Sequence, residues 1–369
     1  MPITDPGSVL LLGAGVSSPF GVPLGGDLIS NLADQIDNEC RRAFEKDNFD
    51  RRFVSAQKTI EWAAHADLWH THPIFGTFVR SRVDRRFQFT QEQAHDVHRQ
   101  ISSLQALLKD QTAETIDAFI AENPQNADAA KLAIAAYILR CLYRPKGGRS
   151  HQLMLAPLAA RSFERADVAR AERNWIHLLI NIIRHAIDNH QVSPDKKINI
   201  VSFNYDTILE HVLERQFQNR ETPLRHYTDY VDIIHVHGQF KPLTDECNDP
   251  GLVAQEWAAG INVVNEHEVC DELQQKRERA RTLIKEASKI YSIGFSFAGP
   301  NCRMLHLHKG SANHARQLIY CNYDGNVGVK ESAARYVKAR SIVERPGSYE
   351  RPLSVTDFIR AGFLGEPPG

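Results

Sequence analysis

Five short stretches hold residue types that can do chemistry at the spacing they have: "GAGVS" (13–17), "SFNYD" (202–206), "HVHGQF" (235–240), "YSIGFSF" (291–297) and "IYCNYD" (319–324). In the first, Gly13 and Gly15 let the chain turn sharply after an apolar run. Backbone N–H groups there can meet a phosphate at a helix N-terminus, where the dipole also favours negative charge. The loop departs from G-x-G-x-x-G, because Val16 to Phe20 intervene before Gly21. Asn204 and Asp206 stand where a strand is expected to end and a helix to begin, the edge at which open α/β sheets place their ligands. Asp206 suits an N-cap equally well, and Asn204 a turn residue. His237, before a glycine at a strand's end, is placed for acid/base work near neutral pH. Gly294, Ser296 and Asn322 repeat the theme after two further strands. Any one of these residues fits a capped turn; their agreement at five strand ends is the signal.

A metal is not expected. His235 and His237 would share one face of a strand, yet no third ligand has suitable spacing, and His306 and His308 of "LHLH" fall on an expected helix.

The elements that must carry these residues follow from periodicity. Val9 to Leu12 is a short apolar run closed by glycine, as in a strand buried on both faces of a parallel sheet. Leu28, Leu32, Ile36 and Cys40 then recur every four residues, as on the buried side of a helix. From about 50 to 190 the periodic segments read as helical: Val97, Ile101, Leu104 and Leu108; Leu132, Ala136 and Leu139; Trp175, Leu178, Ile182 and Ala186. Strand signals resume with "KINIVSFNYD", "DIIHVHG", "KIYSIGFSF" and "RQLIYCNYD", separated by helical or long segments, one of them a charged helix near 269–288. The expectation is an α/β, Rossmann-like, doubly wound parallel sheet with a large helical insertion at about 45–195, the whole of 1–369 forming one domain.

Composition excludes several classes. The 369 residues are 42% hydrophobic, and 44 Lys+Arg against 45 Asp+Glu give a net charge of -1, so no whole-molecule field draws the chain to nucleic acid or an anionic membrane. The six cysteines lie far apart with no C-x-x-C pair, which fits reduced thiols in a cytoplasm. No secretory leader pattern opens the chain and its apolar runs are too short to span a bilayer, so a cytoplasmic location is expected.

Taken in order, G-A-G-x-S with a following G-x-P, F-N-Y-D, H-G, I-G-x-S-F and a last strand ending in Asn resemble the sirtuin (SIR2-like) family, and more closely its NAD-cleaving bacterial branch in anti-phage defence. The stretch "TIDAFIAENPQNADAAKLAIAAYIL" resembles a helical segment of that branch. The resemblance implies that Gly13, Ala14, Gly15 and Ser17 hold the diphosphate region of NAD+, that Gly294 and Ser296 line the same crevice, and that Asn322 meets the adenosine ribose. It further implies that Asn204 orders the nicotinamide ribose or the attacking water, that Asp206 binds the nicotinamide amide, and that His237 is the base on a ribose hydroxyl.

Protein-deacylating sirtuins carry Asp-Phe-Arg or a close relative after the second glycine turn and a four-cysteine zinc module. Here Leu24 and Gly25 follow the proline and the cysteine pairs are missing, so water replaces an acyl-lysine as the expected acceptor. The implied activity is NAD+ hydrolysis to nicotinamide and ADP-ribose, NAD+ being a substrate and no metal taking part. The implied context is a regulated effector that depletes NAD+ on infection and is held by homo-oligomerisation or by a partner such as a motor ATPase. Two alternatives stay open: a non-catalytic NAD or ADP-ribose-binding regulatory module, and an NAD-dependent deacylase or ADP-ribosyltransferase.

Overall fold

The computed structural model describes residues 2–5, 7–23, 25–44, 69, 72–82, 91–110, 116–146, 149–155, 175–218, 226–262, 270–309, 316–323, 325–346 and 355–360. Leu24 of the second glycine turn lies outside them. In chain order the strands are β1 (Ser8–Leu12), β2 (Tyr143–Lys146), β3 (Arg149–Leu155), β4 (Ile198–Ser202), β5 (Val231–His235), β6 (Glu246–Cys247), β7 (Lys289–Ile293), β8 (Gln317–Asn322) and β9 (Ser341–Pro346). The described residues fall into two compact units, one within Met1–Pro19, Arg161–Gln239 and Glu266–Gly369, the other within Phe20–Ala160 and Phe240–Asn265.

The first unit is built on a six-stranded sheet in the order β5-β4-β1-β7-β8-β9, every neighbouring pair parallel. Helices Ile208–Gln218, Asp271–Glu286, Gly299–Met304 and Val327–Tyr336 fill the connections between successive strands. This is an α/β arrangement compatible with a Rossmann-like fold. All five residues of β1 are buried, which is why its sequence is unbroken apolar after Ser8. Strand order reverses at β1, with β4 on one side and β7 on the other; ligands of open parallel sheets bind outside the carboxyl ends of strands at such a point. The edge strand β9 is largely exposed and ends in Pro346, a residue suited to an edge because it has no N–H to pair.

Helix Asp271–Glu286 shows how sequence sets local structure here. Asp271 and Glu272 in its first turn and Lys285 in its last complement the dipole, and Leu273, Arg277, Ala280 and Ile284 form its buried stripe.

The second unit contains helices Gly25–Phe44, Pro73–Arg82, Gln91–Asp110, Ile116–Glu122, Ala127–Leu142 and Pro250–Ala259, with an antiparallel sheet in the order β2-β3-β6. Alanines at 130, 133, 135 and 136 make one helix slim enough for close packing, and Phe240 stacks on Trp257 at 4.5 Å between ring centres. The expected helical block of about 45–195 lies in part outside the described residues, and within them it holds strands β2 and β3 beside its helices. Helix Trp175–Asp188 groups with the parallel sheet, residues 240–265 join the second unit, and that unit has strands of its own. Periodicity missed this because β6 is two residues long and gains meaning only by pairing with β3.

The expected helix with Leu28, Leu32 and Ile36 on its buried side runs Gly25–Phe44, and between it and β1 the chain makes two short 3-10 turns, Ala14–Val16 and Ser18–Phe20. Pro19 and Pro23 have no N–H to donate and Gly21 has φ +88°, so the segment does not continue as an α-helix. One expectation is corrected: His306 and His308, expected on a helix, follow the helix Gly299–Met304 in a turn, where His306 has φ +56°. Among the described residues no helix is long and apolar enough to cross a membrane.

Candidate functional site

The carboxyl ends of β1, β4, β5 and β7 meet through backbone and side-chain contacts within the first unit. At the centre, the Gly13 N–H donates to Ile293 O and the Gly15 N–H to Gly294 O, both at 3.0 Å. A Cβ on Gly13 would lie 2.3 Å from Gly294 O, and one on Gly15 would lie 2.7 Å from Gly294 Cα. Gly294 has φ +66°, and its own Cβ would fall 2.7 Å from the Val16 nitrogen. The bare backbone thus lets two strand-end loops touch main chain to main chain. The Val16 and Ser17 amides close onto Gly13 O and Ala14 O, so four of the five amides of the GAGVS loop serve the protein's own carbonyls.

Ser17 forms one buried cluster with Asn204 and Asp206, which lie 187 and 189 residues further along the sequence. Ser17 Oγ donates to Asp206 Oδ2 at 2.7 Å. Its single proton is then spent, so toward Asn204 it can only accept, and it does so from Nδ2 at 2.9 Å. The amide's orientation follows, leaving Asn204 Oδ1 as a buried acceptor with no hydrogen-bond partner among the described residues, on a residue only 8% exposed. An acceptor left so costs about 1–3 kcal/mol. Asp206 Oδ1 also accepts from the Ile208 N–H at 3.3 Å, so the capping and cluster readings of Asp206 hold together. Burial pushes the Asp206 carboxyl above its ordinary range, and the bonds from Ser17 and Ile208 pull it back in part.

Three rim loops are each gripped by a buried side chain that donates to a backbone carbonyl. Trp175 Nε1 holds Val16 O at 2.9 Å, His235 Nδ1 holds Asn204 O at 2.7 Å, and Arg277 Nε holds Val236 O at 2.8 Å. Sequence reasoning missed Trp175, Arg277 and Glu210, which meets His235 Nε2. An arginine in the buried stripe of its helix was the one legible sign, since a buried guanidinium needs acceptors.

His237 sits one residue before Gly238, which has φ +83°, and is 1% exposed. Its ring lies 5.1 Å from Phe203 and 6.2 Å from Tyr205, the residues on either side of Asn204, so the loops after β4 and β5 interleave. Phe203 continues to Phe295, Phe297 and Tyr320, carrying an aromatic row along the same rim. The structure therefore brings together Gly13, Ala14, Gly15, Ser17, Asn204, Asp206, His237 and Gly294. Ser296 is exposed on the loop after β7. Asn322 is buried at the end of β8, and its amide is engaged elsewhere: Nδ2 donates to Asn326 O and Glu344 Oε1, while Oδ1 accepts from the Asn326 N–H. Among the described residues no group of three His, Cys, Asp or Glu is placed to hold a metal ion.

Fold and site together define an α/β protein with a parallel six-stranded sheet and a buried polar cluster at the point where strand order reverses. No protein-family model and no curated protein matches the chain.

Proposed function

We propose that the chain is an NAD+ glycohydrolase, with a Rossmann-like sheet whose rim binds the dinucleotide and orders a water for attack on the nicotinamide ribose. The observation that carries this reading is Asn204 Oδ1, a buried acceptor with no hydrogen-bond partner among the described residues, on an amide whose Nδ2 is held by the Ser17–Asp206 pair. An acceptor so held suits a ribose hydroxyl or a water, which would satisfy it. Cleavage breaks the bond between C1′ and the nicotinamide nitrogen. The electron pair neutralises the cationic ring as it leaves, a water oxygen bonds to C1′, and the water's surplus proton goes to His237 or solvent. Because the leaving group is already cationic, the protein's task is positioning and charge stabilisation rather than acid catalysis.

The amides of the GAGVS loop are largely committed internally, so Gly13, Gly15 and Gly294 act in this reading by letting the pyrophosphate approach a thin main-chain wall. The test is nicotinamide and ADP-ribose release from NAD+, resolved by HPLC, with the purified chain and its Asn204→Ala variant. The variant is expected to be slower by about a hundredfold. Equal rates would remove Asn204 from the reaction, and saturable NAD+ binding without nicotinamide release would make the chain a binding module. The further reading as an infection-triggered effector, held by self-association or a partner, rests on the sirtuin resemblance alone.

A further inference from the structure

We infer that His235, anchored by Glu210, is a positioning residue that aims the Asn204 side chain; this rests on the glycohydrolase reading above. His235 ends β5 and is 2% exposed, while Asn204 lies in the loop after the adjacent strand β4. Both atoms facing the ring are acceptors: Asn204 O opposite Nδ1 and a Glu210 carboxylate oxygen opposite Nε2. A neutral imidazole can donate only once, so this pairing calls for a ring protonated at both nitrogens, its charge balanced by Glu210. Burial disfavours that charge, but Glu210, the Asn204 carbonyl and nearby Asp206 outweigh it and raise the histidine above its ordinary value.

The consequence falls on Asn204. Its N–H donates to Ser202 Oγ at 3.1 Å, its carbonyl is held by His235, and its Nδ2 is held by Ser17. Three of its four polar groups are pinned and the fourth, Oδ1, remains for a ligand. Ser202 and Ser17 fix the amide nitrogen and the side-chain end, and His235 fixes the remaining main-chain corner. Without that bond the peptide between 204 and 205 is free to rotate, and Oδ1 loses its direction although Ser17 is still in reach.

The experiment compares His235→Ala, His235→Asn and Glu210→Gln with the unaltered chain. Asparagine puts an amide N–H near the place of Nδ1, and glutamine keeps a hydrogen bond to Nε2 while losing the charge. His235→Ala is expected to lower kcat for nicotinamide release by about tenfold to a hundredfold, with KM for NAD+ changed by less than about threefold, and the other two are expected within about fivefold of the unaltered chain. A second readout needs no turnover: the Asn204 side-chain amide resonance in a 1H–15N NMR spectrum should move in His235→Ala and return in His235→Asn. If His235→Ala does not fold, His235→Phe, a ring with no donor, takes its place with the same expectation. Equal loss in His235→Ala and His235→Asn, or no loss and an unmoved resonance in His235→Ala, overturns the inference. If the unaltered chain releases no nicotinamide while the resonance behaves as expected, the glycohydrolase reading falls and the positioning role stands. If Asn204→Ala abolishes turnover but His235→Ala does not, the reverse holds.

Discussion

Gly13→Ala tests whether the bare backbone at the end of β1 exists for packing or for a ligand. The added methyl would sit 2.3 Å from Gly294 O and 2.6 Å from Phe295 Cα, both backbone atoms that cannot rotate aside. Ordinary contact needs about 3.5 Å, so the loops after β1 and β7 must part by about 1 Å. That separation breaks the Gly13–Ile293 and Gly15–Gly294 hydrogen bonds, now 3.0 Å each. Two bonds at about 0.5–1.5 kcal/mol and an overpacking cost of about 1–3 kcal/mol give a loss of roughly 2–6 kcal/mol. A domain's whole stability is about 5–15 kcal/mol, so the effect is large. Urea unfolding of the ligand-free protein measures it, and a fall in midpoint on the order of 1–2 M is expected. Gly7→Ala is the control in the same unit: Gly7 has φ +82°, but the nearest atom to its Cβ would be the movable Ser288 Oγ at 3.3 Å, with backbone atoms no nearer than 3.6 Å. Left-handed backbone alone costs about 1–2 kcal/mol. Gly13, at φ -112°, would be the milder site on dihedral grounds. If Gly13→Ala costs no more than Gly7→Ala, the packing argument fails.

Trp175→Phe removes the donor to Val16 O, and a loss of about 1–3 kcal/mol in urea unfolding is expected; an unchanged midpoint would mean that the carbonyl finds another donor. Asn322→Ala should destabilise by about 1–3 kcal/mol in the same assay and leave KM for NAD+ within about threefold, whereas a raised KM at full stability would place the amide on the ligand. In the second unit, burial pushes the Glu39 carboxyl from 4.5 up to about 7, although Gln35 and the Ile74 and Phe75 amides donate to it. Its folded value lies above its unfolded one, so the stability it lends is full below about pH 4.5 and is lost as pH rises through about 7. Melting at pH 5 and pH 8 should show a difference of up to about 3 kcal/mol that Glu39→Gln flattens, and a pH slope unchanged in the variant would refute it.

Much of the parallel sheet was legible because its cues are local. A short apolar run closed by glycine reads as a buried strand in β1 and β7, and β4, β5 and β8 carry short apolar runs that end at polar residues. Strand β9, "SIVERP", has only two apolar residues besides its proline and was not legible, since an edge strand is stabilised by its one neighbour rather than by burial. The cluster was legible in part. Ser17, Asn204 and Asp206 stood out as polar residues at strand ends, and parallel pairing of β1 with β4 carries those ends to the same rim. His235 drew attention only for sharing a strand face with His237, a pair set aside as a metal site for want of a third ligand, because alternation along a strand reports which face a side chain takes and not what waits there.

Composition and one-dimensional pattern alone therefore determined that this chain is α/β, where five strands of its parallel sheet end, and which polar groups stand at those ends. Only the tertiary structure decided what those groups do. It showed that Gly13, Gly15 and Gly294 press two main chains together, that Asn322 serves its own turn, and that Asn204 is left with one acceptor to spare. The reason is physical. Hydrophobic periodicity records burial, which is nondirectional and local, whereas a hydrogen bond needs a partner at about 3 Å and a set angle, and here Ser17 finds Asp206 189 residues away and Gly13 finds Ile293 farther still.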